Sequence, residues 1–228
     1  MMDSGSAGDI LRNLLTVSDT AWGRYAFSSD LLRDRIPLWR QDEMTRKAIA
    51  CGEEWARRVM AETGSSQPDS MLEALGIVLT ENDASMMNSS RPLYAQFIPD
   101  NRIEIMKEPI ETFSTLYQKE QGNCASLFPT PAEVRALLLF HEVFHYVEEC
   151  NKKEIYTRTE TIRLWKFLFI NWDSTVRAVS EIAAMSFAKA LTRTVYNPFI
   201  LDPLLLYGYN REKAEIVFQR IMRIHTGL

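Results

Sequence analysis

Between Leu137 and Glu149 the chain reads LLLFHEVFHYVEE, an apolar run broken by two of its three histidines, four residues apart, and by carboxylates. The run has a definite beginning. In TPAE, Thr130 can cap a helix, Pro131 suits its first position, and Glu133 stands where a capping-box carboxylate belongs. The spacing predicts a helix from Pro131 to Cys150 that would bury Val134, Leu137, Leu138, Phe140, Val143, Phe144 and Val147. His141, Glu142 and His145 then sit in the middle of a core helix. Burying neutral polar groups without partners costs roughly 2–7 kcal/mol each, and a charge costs more. Any fold this chain adopts must therefore bring partners to these side chains.

A metal ion is the partner that fits the pattern. Residues four apart lie about one turn apart on a helix, so the two imidazoles project from the same side and can share one ion. Glu142 is turned about 100° from His141, given roughly 3.6 residues per turn. It can approach a water on the metal without ligating the metal. His-Glu-x-x-His thus divides into two ligands, His141 and His145, and a general base, Glu142, with zinc as the expected ion. The plainer alternative is a core helix whose histidines are satisfied by neighbouring side chains.

A catalytic zinc generally takes three protein ligands. The extended pattern HExxHxxGxxH would need glycine at 148 and histidine at 151, where this chain has Glu148 and Asn151. The remaining histidine, His225, lies three residues from the carboxyl end. Glu149 would require one straight helix to present three successive turns to one ion. Glu160 stands near an expected helix start, where a carboxylate serves the helix dipole without a metal. Glu181 is the candidate third ligand. It lies in DSTVRAVSEIAAMSFAKAL, an expected helix capped by Asp173 or Ser174, with Ala178, Ala184 and Met185 on its own side. An ion pair with Arg177, one turn away, would explain the same carboxylate without any metal.

The remainder of the chain reads as predominantly helical α+β. Residues 1–9 have the composition of a tail, 10–64 of a helical extension, and 70–228 of the main unit, the whole forming one compact body. GSSQPDS reads as a linker. A short helix around Met71 to Leu75 leads into GIVLT, and YAQFIPDNRIEIM holds two β-prone runs about a Pro-Asp-Asn turn, with Arg102 to Met106 as an edge strand. Helices are expected over Ile110 to Lys119, Thr159 to Asn171, Ser174 to Thr194 and Asn210 to Ile224. A net charge of −4 and pI near 5.5 provide no positive field for nucleic acid. Nowhere do apolar residues run on for the roughly 18 that a membrane helix needs, so no membrane partner is expected. Cys51, Cys124 and Cys150 are odd in number and far apart, which suits a reducing cytoplasm better than a disulfide framework.

HEVFHYVEE followed by SEIAAMSFAKAL resembles the gluzincin metallopeptidases, and more narrowly the minimal zincin domains of the ImmA/IrrE type. The order LGIVLT, YAQFIPDNRIEIM, helix, motif helix is similar as well, over about Met71 to Pro198. The resemblance implies a zincin-like core with a small sheet beside the active-site helix. It also implies zinc held by His141, His145 and Glu181, with Glu142 as catalytic base acting on a peptide or protein substrate. The strand near Arg102 to Met106 would hold that peptide by strand addition. Two rival expectations are a zinc-binding regulatory domain with a closed cleft, and a metal-free helical interaction protein using Leu164 to Trp172. As donors for an oxyanion, Tyr156, Tyr207, Tyr209 and Arg193 are open alternatives.

Overall fold

A computed structural model describes residues 6–83, 93–124, 128–167 and 170–227. Ser6 opens the first helix, α1 (Ala7–Leu14): its side chain accepts from the Asp9 backbone N, and the Asp9 carboxylate accepts the Ser6 N–H in return. Residues 6–9 of the expected tail therefore belong to α1 and its cap, because Ser and Asp form a reciprocal cap, and residues 1–5 lie outside the described residues. Helix α2 (Asp19–Phe27) and the long α3 (Leu38–Thr63) follow. Gly64 ends α3 in the left-handed conformation, φ 67, with its N–H on the Met60 carbonyl, a conformation that costs glycine little. Helix α4 (Pro68–Ala74) starts inside the expected linker, with Pro68 in its first turn.

Strands β1 (Val78–Asn82), β2 (Ala95–Ile98) and β3 (Arg102–Met106) form a small sheet in the order β1-β3-β2. β2 and β3 are the expected antiparallel hairpin. Asp100 and Asn101 take positive φ at its turn, which short polar side chains tolerate. β3, however, is the central strand and not an edge, because β1 pairs with its far side in parallel. Its alternation of Arg102 and Glu104 with the buried Ile103 and Ile105 reports which face is covered. It carries no information about lateral position.

Helix α5 (Lys107–Cys124) runs past both ends of the expected segment, and α6 (Pro131–Cys150) has the predicted bounds. The helix expected over Thr159 to Asn171 does not form. After the short α7 (Tyr156–Thr159), strands β4 (Thr161–Phe167) and β5 (Ile170–Thr175) make an antiparallel hairpin. The β-branched and aromatic content of TIRLWKF and INWDST favours this over a helix. Helix α8 (Arg177–Thr192) consequently begins later than Ser174, since Asp173 and Ser174 belong to β5. Its first turn is capped from a distance: Asp30 Oδ2 accepts from the Ala178 N at 2.8 Å. A 3-10 turn (Pro198–Ile200), α9 (Leu201–Tyr209) and α10 (Arg211–Thr226) complete the chain, the first two unforeseen in the sequence.

The architecture is predominantly helical α+β, with β2 and β3 lying against α6. Helices α3 and α6 both pack on α8, so helices before Gly64 share one core with the remainder. The α3–α8 approach is very close at Gly52, where an added Cβ would lie 2.2 Å from the Ala183 carbonyl oxygen. Among the described residues no helix is long and apolar enough to cross a membrane.

Candidate metal centre

The site begins with the N-terminus of α6. Thr130 Oγ1 accepts from the Glu133 N at 3.2 Å, and the Glu133 carboxylate accepts the Thr130 N–H at 2.7 Å. Val134, Leu137, Phe140, Val143, Phe144 and Val147 then bury as the periodicity predicts, while Leu138 is only partly covered and faces a cavity. Small residues on α8, Ala183 and Ala184 among them, and a Phe144–Phe187 ring contact of 5.6 Å let α6 and α8 lie together.

The three candidate ligands meet across this contact. His141 Nε2 and His145 Nε2 are 3.1 Å apart. Glu181 Oε2 lies 3.3 Å from His141 Nε2, and all three ligand atoms fall within 4.8 Å of one another. Zinc–nitrogen bonds of about 2.0–2.1 Å at tetrahedral angles would set neighbouring donors roughly 3.3–3.4 Å apart. The His141–His145 and His141–Glu181 spacings lie close to that figure, and the third pair lies within 4.8 Å. A single proton between the imidazoles would satisfy one Nε2 pair and leave Glu181 competing for the same hydrogen, whereas a dication satisfies all three. The electrostatics of the metal-free group favour positive charge at His141. Burial opposes protonation of His141, yet the hydrogen bond to Glu181 and the charges of Glu142, Glu181 and Asp202 push its pKa up to about 9. Burial alone would raise the Glu181 carboxyl, but the His141 hydrogen bond and nearby positive charge hold it well below the usual range.

The ion pair with Arg177 exists as well, at 3.1 Å, but it uses Glu181 Oε1 and leaves Oε2 facing His141. The Arg177 side chain is 69% exposed, so this pair contributes little to stability and does not account for the convergence. Of the other carboxylates, Glu149 lines the same cavity but pairs with Lys152, and Glu160 pairs with Arg40. Neither these nor His225 joins the ligand group among the described residues.

Glu142 is buried, and its Oε2 accepts from the Phe97 backbone N at 2.6 Å. That N–H points away from β3, so the base is tethered to the side of β2 that has no strand partner among the described residues. Glu142 and the three ligands line a cavity of about 840 Å³ whose walls include Leu137, Leu138, Leu201 and Leu205. Among the described residues, Tyr156, Tyr207, Tyr209 and Arg193 do not line it. Polar groups that do include Tyr25 and Asp202, joined by a 2.9 Å hydrogen bond from the phenol to Oδ2. Burial, then the Asp202 charge, pushes the Tyr25 phenol upward, so it stays protonated. Nothing in the sequence links α2 to α9, and this pair was not foreseeable. In the sequence, Glu148 only marks a departure from the extended HExxHxxGxxH pattern. It is 1% exposed, and its Oε2 lies 3.5 Å from His145 Nδ1. Its position three residues beyond His145, on the same helix face, is the signal that would have found it.

No family model, curated protein or solved structure matches the chain.

Proposed function

We propose that the chain is a zinc-dependent metallopeptidase of the gluzincin kind, hydrolysing an amide bond of a peptide or protein. The observation that carries the reading is the convergence of His141, His145 and Glu181 beside Glu142, which faces the same cavity without belonging to the ligand group. Two imidazoles and a carboxylate are a donor set that suits zinc with one position open. When bound, zinc supplies a Lewis acid and lowers the pKa of a coordinated water. Glu142 takes the proton during attack on the amide carbonyl and returns it to the leaving amine. Its hydrogen bond to Phe97 N orients the carboxylate, and β2, as the sheet edge beside it, is the strand on which an extended peptide would pair. The size of the cavity favours a working cleft over a closed, non-catalytic metal domain. The free thiols of Cys51 and Cys150 support a reducing compartment such as the cytoplasm.

A quenched-fluorescent peptide library incubated with zinc-loaded protein tests the reading. Cleavage is expected, and Glu142→Gln is expected to retain zinc while losing about 10²- to 10⁴-fold in rate. No cleavage by zinc-loaded wild type, or cleavage unaffected by Glu142→Gln, would refute it.

A further inference from the structure

We propose that Glu148 is a positioning residue for the metal centre, accepting from His145 Nδ1 and so holding the ring with Nε2 toward the ion. The inference rests on the metal reading above and adds a role to a residue outside the ligand group. An imidazole that ligates through one nitrogen carries its proton on the other, and the acceptor of that proton fixes both tautomer and ring direction. His145 Nε2 faces His141 Nε2 at 3.1 Å, and its Nδ1 faces Glu148 Oε2 at 3.5 Å. The two histidines differ in this respect. His141 Nδ1 is buried with no hydrogen-bond partner among the described residues, whereas His145 Nδ1 has the Glu148 carboxylate facing it.

Glu148 is itself held from three sides. Oε2 accepts from Ser180 Oγ on α8 at 3.0 Å, forms an ion pair with Arg158 Nη2 at 3.0 Å and faces His145 on its own helix, while Oε1 is buried with no hydrogen-bond partner among the described residues. A carboxylate 1% exposed is costly unless such partners are present. An apolar side chain would fill the position between α6 and α8 without that cost. What an apolar residue could not supply is a fixed acceptor for a ligand's second nitrogen. The competing account is that Glu148 only clamps α6 to α8 through Ser180.

Zinc affinity by chelator competition, measured with apo melting temperatures for wild type, Glu148→Gln, Glu148→Ala and Ser180→Ala, separates these. Loss of the outer carboxylate is expected to weaken zinc binding about 10- to 100-fold in both Glu148 variants. Ser180→Ala, which removes only the α8 link, is expected to stay within about threefold of wild type. A second readout needs no stable variant: long-range ¹⁵N–¹H correlation spectra of the metal-free wild type should find His145 as the Nδ1–H tautomer. Where Glu148→Ala folds, that preference should weaken. Glu148→Gln binding zinc as tightly as wild type, an equal loss in Ser180→Ala, or an Nε2–H tautomer of His145 in the wild type would each overturn the proposal. Wild-type protein that takes up no stoichiometric zinc would refute the metal reading instead.

Discussion

Replacing Gly52 by alanine sets two physical effects against each other with opposite signs. Gly52 lies inside α3, where intrinsic helix propensity alone would make alanine stabilising by about 0.8–1 kcal/mol. The Cβ, however, would meet the Ala183 carbonyl oxygen at 2.2 Å, the Phe187 N at 2.8 Å and the Ser186 Cβ at 2.9 Å. Two of these are backbone atoms of α8 and cannot rotate away, so the helices must part. Overpacking of this kind costs about 1–3 kcal/mol, and contacts this short with backbone belong at the upper end. About 3 kcal/mol of strain less about 1 kcal/mol of propensity leaves roughly 2 kcal/mol of net destabilisation. For a chain of this length that corresponds to a fall of about 4–8 °C in melting temperature. Glu181 stands two residues before Ala183, so the same displacement should also weaken zinc binding. Urea unfolding and calorimetry of the apo protein check the first effect, and chelator competition checks the second. A Gly52→Ala protein as stable as wild type or more so would refute the close approach of α3 to α8, and with it the argument that the early helices hold the third ligand in place.

Two other perturbations follow from named contacts. Asp30→Ala removes the acceptor of both the Ala178 and Leu32 N–H groups; urea unfolding should show a loss of about 1–2 kcal/mol, the upper part of the range for a helix cap. In the metal-free protein the raised pKa of His141 contributes stability that is fully present below its ordinary value of 6.5 and is lost as the pH rises through about 9. That shift corresponds to at most about 3 kcal/mol. Apo wild type should therefore lose stability between about pH 6 and about pH 10 by more than His141→Ala does, as urea midpoints would show.

What the sequence made legible was local. The span of α6, its cap at Thr130, the convergence of residues four apart, and the β2–β3 turn are all properties of neighbouring residues, and each appears where the pattern placed it. Glu181 was legible because a carboxylate in an apolar helix demands a partner. What was hidden depends on which segments meet. β3 is central because β1 finds its far edge, and alternation along β3 is the same in either case. The run after Thr159 forms β4 and β5 although its apolar spacing also suits a helix, because short aromatic and β-branched stretches carry both signals. The α8 cap comes from Asp30, 148 residues away in sequence. The same distance problem hid the Tyr25–Asp202 pair.

The zinc content of purified, metal-replete protein beside its His145→Ala and Glu181→Ala variants tests the central assignment most directly. One zinc per wild-type chain, lost or greatly weakened in both variants, is the expected result. A metal-free wild type would contradict the assignment of a zinc centre, and full zinc retention by Glu181→Ala would contradict the choice of third ligand.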